Sequence, residues 1–117
     1  MSLSWRSGNA AQDGRETRGW ILGHFIDPGE GMRSSKGAEV KWGIHASGDK
    51  RRNWAADDHQ ATVALLVQGS FRIDSTEASI TLRKQGDYAA WRPGISHSWE
   101  ALADSVVLTV RWPSSPS

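Results

Sequence analysis

Short runs of alternating apolar and polar residues, punctuated by glycine and proline, fill the chain from residue 19 to residue 112. Residues 19–26 read as a first strand, stopped by Asp27-Pro28-Gly29. Residues 38–46 form a second, with Val40, Trp42 and Ile44 on one face and Lys41, Gly43 and His45 on the other. Residues 61–68 are apolar on both faces, as in a central strand. Gly69 marks a bend or bulge. Further strands are expected at 71–74, 78–83, 88–91, 96–100 and 105–112, and 50–59 is an irregular connection. No stretch of ten or more residues has helical periodicity. Evenly spaced strands with Gly/Pro turns predict an all-β sandwich or barrel.

The 117 residues suffice for one core but not two. Residues 1–18 are polar, lack periodicity and read as a flexible N-terminal arm. The barrel is expected over 19–113, with a disordered tail at 114–117. Fourteen basic and thirteen acidic residues are spread along the chain, giving a net charge of +1. That balance argues against nucleic-acid or membrane-surface binding. No cysteine is present, which excludes disulfide and thiolate chemistry. Without a signal-type or membrane-spanning segment, a cytoplasmic protein is expected. Seven tryptophans against one tyrosine and two phenylalanines favour indoles for core and pocket alike.

One segment carries more chemistry than the rest. In residues 86–99, Gly86-Asp87 turns into a short apolar strand, Pro93-Gly94 reverses the chain, and His97 and Trp99 follow. This arrangement resembles the second motif of the cupin superfamily, with Gly86, Gly94 and His97 at motif positions. Arg92 stands at the motif's proline, and Ala101 at its terminal asparagine. Gly69 fits the closing glycine of the family's first motif. That alignment places Thr62 where the family has its metal-binding glutamate, and the His-x-His pair falls among residues 55–58, where there is no histidine. The resemblance implies a small single-domain bacterial cupin, a jelly-roll (double-stranded β-helix) barrel with a degenerate first motif.

In metal-binding cupins, three histidines and a glutamate hold a divalent ion and leave positions open for substrate. Only His97 is inherited here. Trp99 shares its strand face, and Thr62, Ala64 and Leu66 share another. The resemblance therefore implies a ligand pocket built from His97, Trp99 and Thr62. Trp54 stands at its opening as a stacking surface, and Arg52 is a candidate partner for a ligand carboxylate. The alternative is a metal site for one divalent Fe, Mn, Ni or Zn, made from His97, His59 and Asp58. For His59 the competing reading is a solvated loop residue, and for Asp57-Asp58 a solvated turn.

The remaining candidates have plainer readings. With Val40, Trp42 and Ile44 taken as core, His45 points to the surface. His24 reads as a satisfied core or interface histidine, Arg111 as structural, and Trp42, Trp91 and Trp112 as core. Two functions are in view. One is a small-molecule-binding cupin with a tryptophan-rich pocket; the other is a metal-dependent dioxygenase, isomerase or epimerase with a non-standard ligand set. Trp5, the first strand's outer face and the two-sided apolar pattern of 61–68 lead us to expect a homodimer.

Overall fold

β-branched and aromatic residues between glycine-rich turns fold into eight strands in the computed structural model, which describes residues 5–55 and 59–114. They are β1 (Trp20–Leu22), β2 (Glu39–His45), β3 (Ala61–Gln68), β4 (Phe71–Ser75), β5 (Ser79–Leu82), β6 (Tyr88–Trp91), β7 (His97–Ala101) and β8 (Ser105–Trp112). The larger sheet has the order β1-β2-β8-β3-β6, the smaller β5-β4-β7, and all these pairings are antiparallel. Among the described residues, no helix is long and apolar enough to cross a membrane.

Leu66, Val107 and Ala64 of the large sheet meet Phe71, Leu82 and Ala101 of the small one, and all six are buried. Each large apolar side chain removed from water there stabilises the fold by roughly 1.5–3 kcal/mol. This core closes one end of the space between the sheets. Gly69 joins β3 to β4 at that end with φ +103, and a Cβ there would lie 2.6 Å from the Ser105 Cα. Only glycine combines that backbone conformation with that close approach.

The strand bearing Trp42 faces the opposite way from the expected one. Glu39, Lys41, Gly43 and His45 look into the space between the sheets, while Trp42 looks out and Ile44 is 66% exposed. Both faces of the large sheet are apolar in part, so hydrophobicity alone could not orient β2. Register decided it. One row across the inner face reads Glu39–Arg111–Thr62–Trp91, and the next Lys41–Thr109–Ala64–Ala89. The outer rows read Val40–Val110–Val63–Ala90 and Trp42–Leu108–Leu65–Tyr88, all uncharged, with Arg6, Asp13 and Arg33 beside Val40 at one edge. Trp112, also expected in the core, is 44% exposed.

Residues 5–18 and Ser114 are better tied down than their composition suggests, and residues 115–117 of the expected tail lie outside the described residues. Asn9 caps a single helical turn, α1 (Ala10–Asp13), by accepting from the Gln12 N–H, and Arg6 pairs with Glu30 at 2.7 Å. Residues 5–18 are thus partly structured. Ser114, assigned to the disordered tail, is buried: its hydroxyl donates to Glu39 Oε2 at 2.9 Å and accepts from the His24 N–H at 2.8 Å. The first strand is also shorter than expected. Pairing with β2 covers only Trp20–Leu22, because the chain then leaves the sheet to bridge Ser34 through Gly23.

Candidate functional site

The end of the inter-sheet space away from the core is open, a cavity of about 130 Å³. The inner rows of the large sheet supply Lys41, His45, Thr62, Thr109, Trp91 and Arg111; the small sheet adds Ile73, His97 and Trp99. Strand alternation explains the set, because 41 and 45, 97 and 99, and 109 and 111 each share a face. Residues 49–55 run irregularly beside β7. The Arg51 N–H donates to the Trp99 carbonyl at 2.9 Å, Ala55 and His97 exchange hydrogen bonds, and the Ser98 hydroxyl donates to the Arg51 carbonyl at 2.6 Å. This pairing brings the Arg51 side chain to the cavity mouth.

Aromatic rings make the inner walls. The Trp99 ring lies 4.5 Å from His45 and stacks on Phe71 at 5.2 Å, and Trp91 lies 4.8 Å from His97. Gly43 makes room for the His45 ring, since a Cβ there would stand 2.8 Å from its Nε2. Burial and the Lys41 ammonium together hold the His45 pKa below the ordinary histidine value, against a smaller opposing pull from Asp49. The imidazole is therefore neutral at pH 7. His97 Nδ1 lies 3.1 Å from the Ile95 carbonyl, an acceptor that requires the proton of a neutral ring to sit on Nδ1.

The cavity is electropositive. Arg111 stacks 4.6 Å from the Trp20 ring centroid, and its Nε pairs with buried Glu39 at 2.8 Å, without the alignment of a hydrogen bond. Lys41 Nζ lies 5.7 Å from the same centroid. Burial pushes the Lys41 pKa down, and repulsion from Arg111, Arg51 and Arg18 adds to the shift.

Of the residues expected at the site, His97, Trp99 and Thr62 come together on the cavity walls. Trp54 does not line the cavity and is 51% exposed. Arg52 lies instead in a shallow depression with Arg72, Asp74 and Glu100, and Arg51 borders both that depression and the cavity. Arg51 thus takes the place expected for Arg52. His59 is exposed and away from the cavity, and Asp58 lies outside the described residues.

His45, expected at the surface, is a cavity wall, as is Trp91, expected in the core; Arg111, expected to be structural, lines the cavity while also holding Glu39. Glu39 and Arg111, opposite in register and opposite in charge, mark this inner face once the β2–β8 register is known.

The described residues that line the cavity do not suit a divalent metal. His45 and His97 reach it, but Thr62 offers a hydroxyl where the family resemblance calls for a carboxylate. Among the described residues, no three His, Cys, Asp or Glu side chains are grouped closely enough to hold an ion. Three cationic side chains share the space and would repel one.

No protein-family model and no curated protein matches the sequence. Solved structures do match in fold. KdgF from a Halomonas species is 18% identical, with a TM-score of 0.63 over 69% of this chain and 74% of that one. A cupin superfamily protein from Desulfitobacterium hafniense is 17% identical, with a TM-score of 0.60 over 67% and 69% of the two chains. A Cupin 2 conserved barrel domain protein from Salinispora arenicola is 20% identical, with a TM-score of 0.55 over 68% and 66%. Identities this low speak to architecture and not to activity. The chain therefore has the cupin fold, an all-β jelly-roll barrel whose cavity lies between its two sheets.

Proposed function

We propose that this cupin-fold protein binds a small ring-bearing molecule in the inter-sheet cavity. The observation that carries the reading is the wall chemistry: Trp91 and Trp99 flank a cavity that also presents neutral His45, His97 and two threonine hydroxyls. Apolar walls with a few convergent polar groups are the usual make-up of a ligand site. A cavity of about 150 Å³ accommodates benzene, so 130 Å³ suits a single six-membered ring with its substituent at the mouth. Titration with benzyl alcohol, followed by indole fluorescence, tests this. A saturable change that weakens at least about tenfold in Trp99→Ala supports it. A linear response, equal in both proteins, rejects it.

We further propose that two copies pair through the outer face of the large sheet. Its rows Val40–Val110–Val63–Ala90 and Trp42–Leu108–Leu65–Tyr88 carry no charge, and Ile44 and Tyr88 are 66% and 65% exposed. A two-fold contact sets the same surface against itself, so the uncharged Trp42–Leu108–Leu65–Tyr88 row, away from Arg6, Asp13 and Arg33 beside Val40, meets no like-charge repulsion. Light scattering should give a dimer mass for the full chain and a monomer mass for Leu108→Lys. A monomeric full chain at tens of micromolar overturns the proposal.

A further inference from the structure

Three cationic side chains reach the cavity from three different parts of the fold: Lys41 on β2, Arg111 on β8, and Arg51 on the segment beside β7. No acidic residue is among the described residues that line it. Glu39 pairs with Arg111 from behind the wall, and it also accepts from Ser114 and lies 3.9 Å from His24. Among the described residues, neither Lys41 nor Arg51 has an ion pair. Half-burying an ammonium between guanidinium groups is unfavourable without a counter-charge. Arg72, by contrast, has Asp74 and Glu100, both at 3.2 Å, on the outside of the small sheet. Lys41 and Arg51 thus bring two positive charges to the cavity with no ion pair among the described residues.

We infer that the ligand is a small organic anion, a flat ring bearing a carboxylate, whose ring lies against Trp91 and Trp99 and whose carboxylate sits among Lys41, Arg51 and Arg111. The inference rests on the small-molecule reading and adds the sign of the ligand's charge. A carboxylate matches the planar donor fork of arginine, and a point-charge ammonium complements it. Thr62 and Thr109, on adjacent inner rows, supply neutral hydroxyls between the charged mouth and the indole walls.

Calorimetric titration with benzoate and with its neutral counterpart, benzyl alcohol, at low ionic strength tests this on the full chain. Benzoate should bind at least about tenfold more tightly than benzyl alcohol, the difference expected for charge-assisted hydrogen bonds. Lys41→Met should erase most of that advantage, and Arg51→Gln part of it, read as the ratio of benzoate to benzyl alcohol affinity in each protein. The Arg51 side chain is exposed and, among the described residues, donates to the Asn53 carbonyl alone, and substitution keeps its backbone bonds to β7, so the fold stays intact even if the other variant fails to express. Equal binding of the two probes, or benzoate affinity unmoved by both substitutions, overturns the anion inference alone. Absence of binding by either probe overturns the small-molecule reading and the inference with it.

Discussion

Replacing Lys41 with methionine should make the ligand-free protein more stable, although it removes a charged residue from the middle of a strand. Lys41 Nζ and Arg111 Cζ lie 5.7 and 4.6 Å from one ring centroid, so they are at most about 10 Å apart. At that separation two like charges repel by about 0.4 kcal/mol in water and by about 1.7 kcal/mol at an effective dielectric of about 20. Arg51 and Arg18 add repulsion, while Glu39 beside Arg111 offsets some of it. The ammonium's contact with Trp20, near the outer limit for a cation–π pair, opposes the change by about 0.5 kcal/mol. Methionine keeps most of the apolar stem. The net expectation is a gain of about 0.5–1 kcal/mol, or roughly 2–4 °C in Tm for a chain of this length.

The pH dependence has a definite sign. The folded-state pKa of Lys41 lies below 10.5, so the penalty for its charge is constant at neutral pH. It fades only as pH rises from the folded value towards 10.5. The variant's advantage should therefore be full at pH 7, shrink in that alkaline window, and diminish with added salt. Benzoate should raise the Tm of the unmodified protein more than that of the variant. Differential scanning calorimetry of both proteins gives all four comparisons. A variant with native circular dichroism that melts 2 °C or more below the unmodified protein at pH 7 would refute the cation-crowding argument.

His45 gives a second titration. Its folded pKa is below 6.5, so the unfolded chain takes up the proton first, and stability should fall as pH drops from 6.5 towards the folded value before levelling off. Urea midpoints of His45→Gln should lack that component, and identical slopes in the two proteins would count against a buried, neutral ring. Gly69→Ala places a side chain at φ +103 against Ser105; it should cost at least about 2 kcal/mol, a fall of roughly 8 °C in Tm. An unchanged Tm would contradict the close approach. Exposure to Fe, Mn, Ni or Zn followed by dialysis should leave far less than one equivalent by elemental analysis. A full equivalent lost on His97→Ala would restore the metal reading.

Local pattern carried the strands well. Residues 61–68, 88–91 and 105–112 were read with the bounds of β3, β6 and β8, because Gly and Pro fix where those strands end. The Asn9 cap was also written in the sequence, but a four-residue helix leaves no periodicity to notice. The orientation of β2 was not legible. Trp42 and Ile44 look like core residues until the register with β8 sets Glu39 opposite Arg111 and Lys41 opposite Thr109. That one inversion concealed His45, Lys41 and Arg111 together. Arg51 rather than Arg52 reaches the cavity because the irregular 49–55 segment is placed by hydrogen bonds to β7, which no local pattern announces. Ser114 was lost in a tail of serines and prolines, because its role depends on Glu39, 75 residues away in sequence.

The most direct test of an anion-binding cavity between the sheets is to watch the seven indole N–H resonances of the full chain by two-dimensional NMR while benzoate is added. Trp91, Trp99 and Trp20 line the cavity, whereas Trp5 and Trp112 are exposed and Trp42 faces outward from the large sheet. Saturable shifts confined to Trp20, Trp91 and Trp99, needing several-fold more benzoate in Lys41→Met, are the predicted result. Shifts at Trp42 and Trp112 with the three cavity indoles unmoved would contradict it.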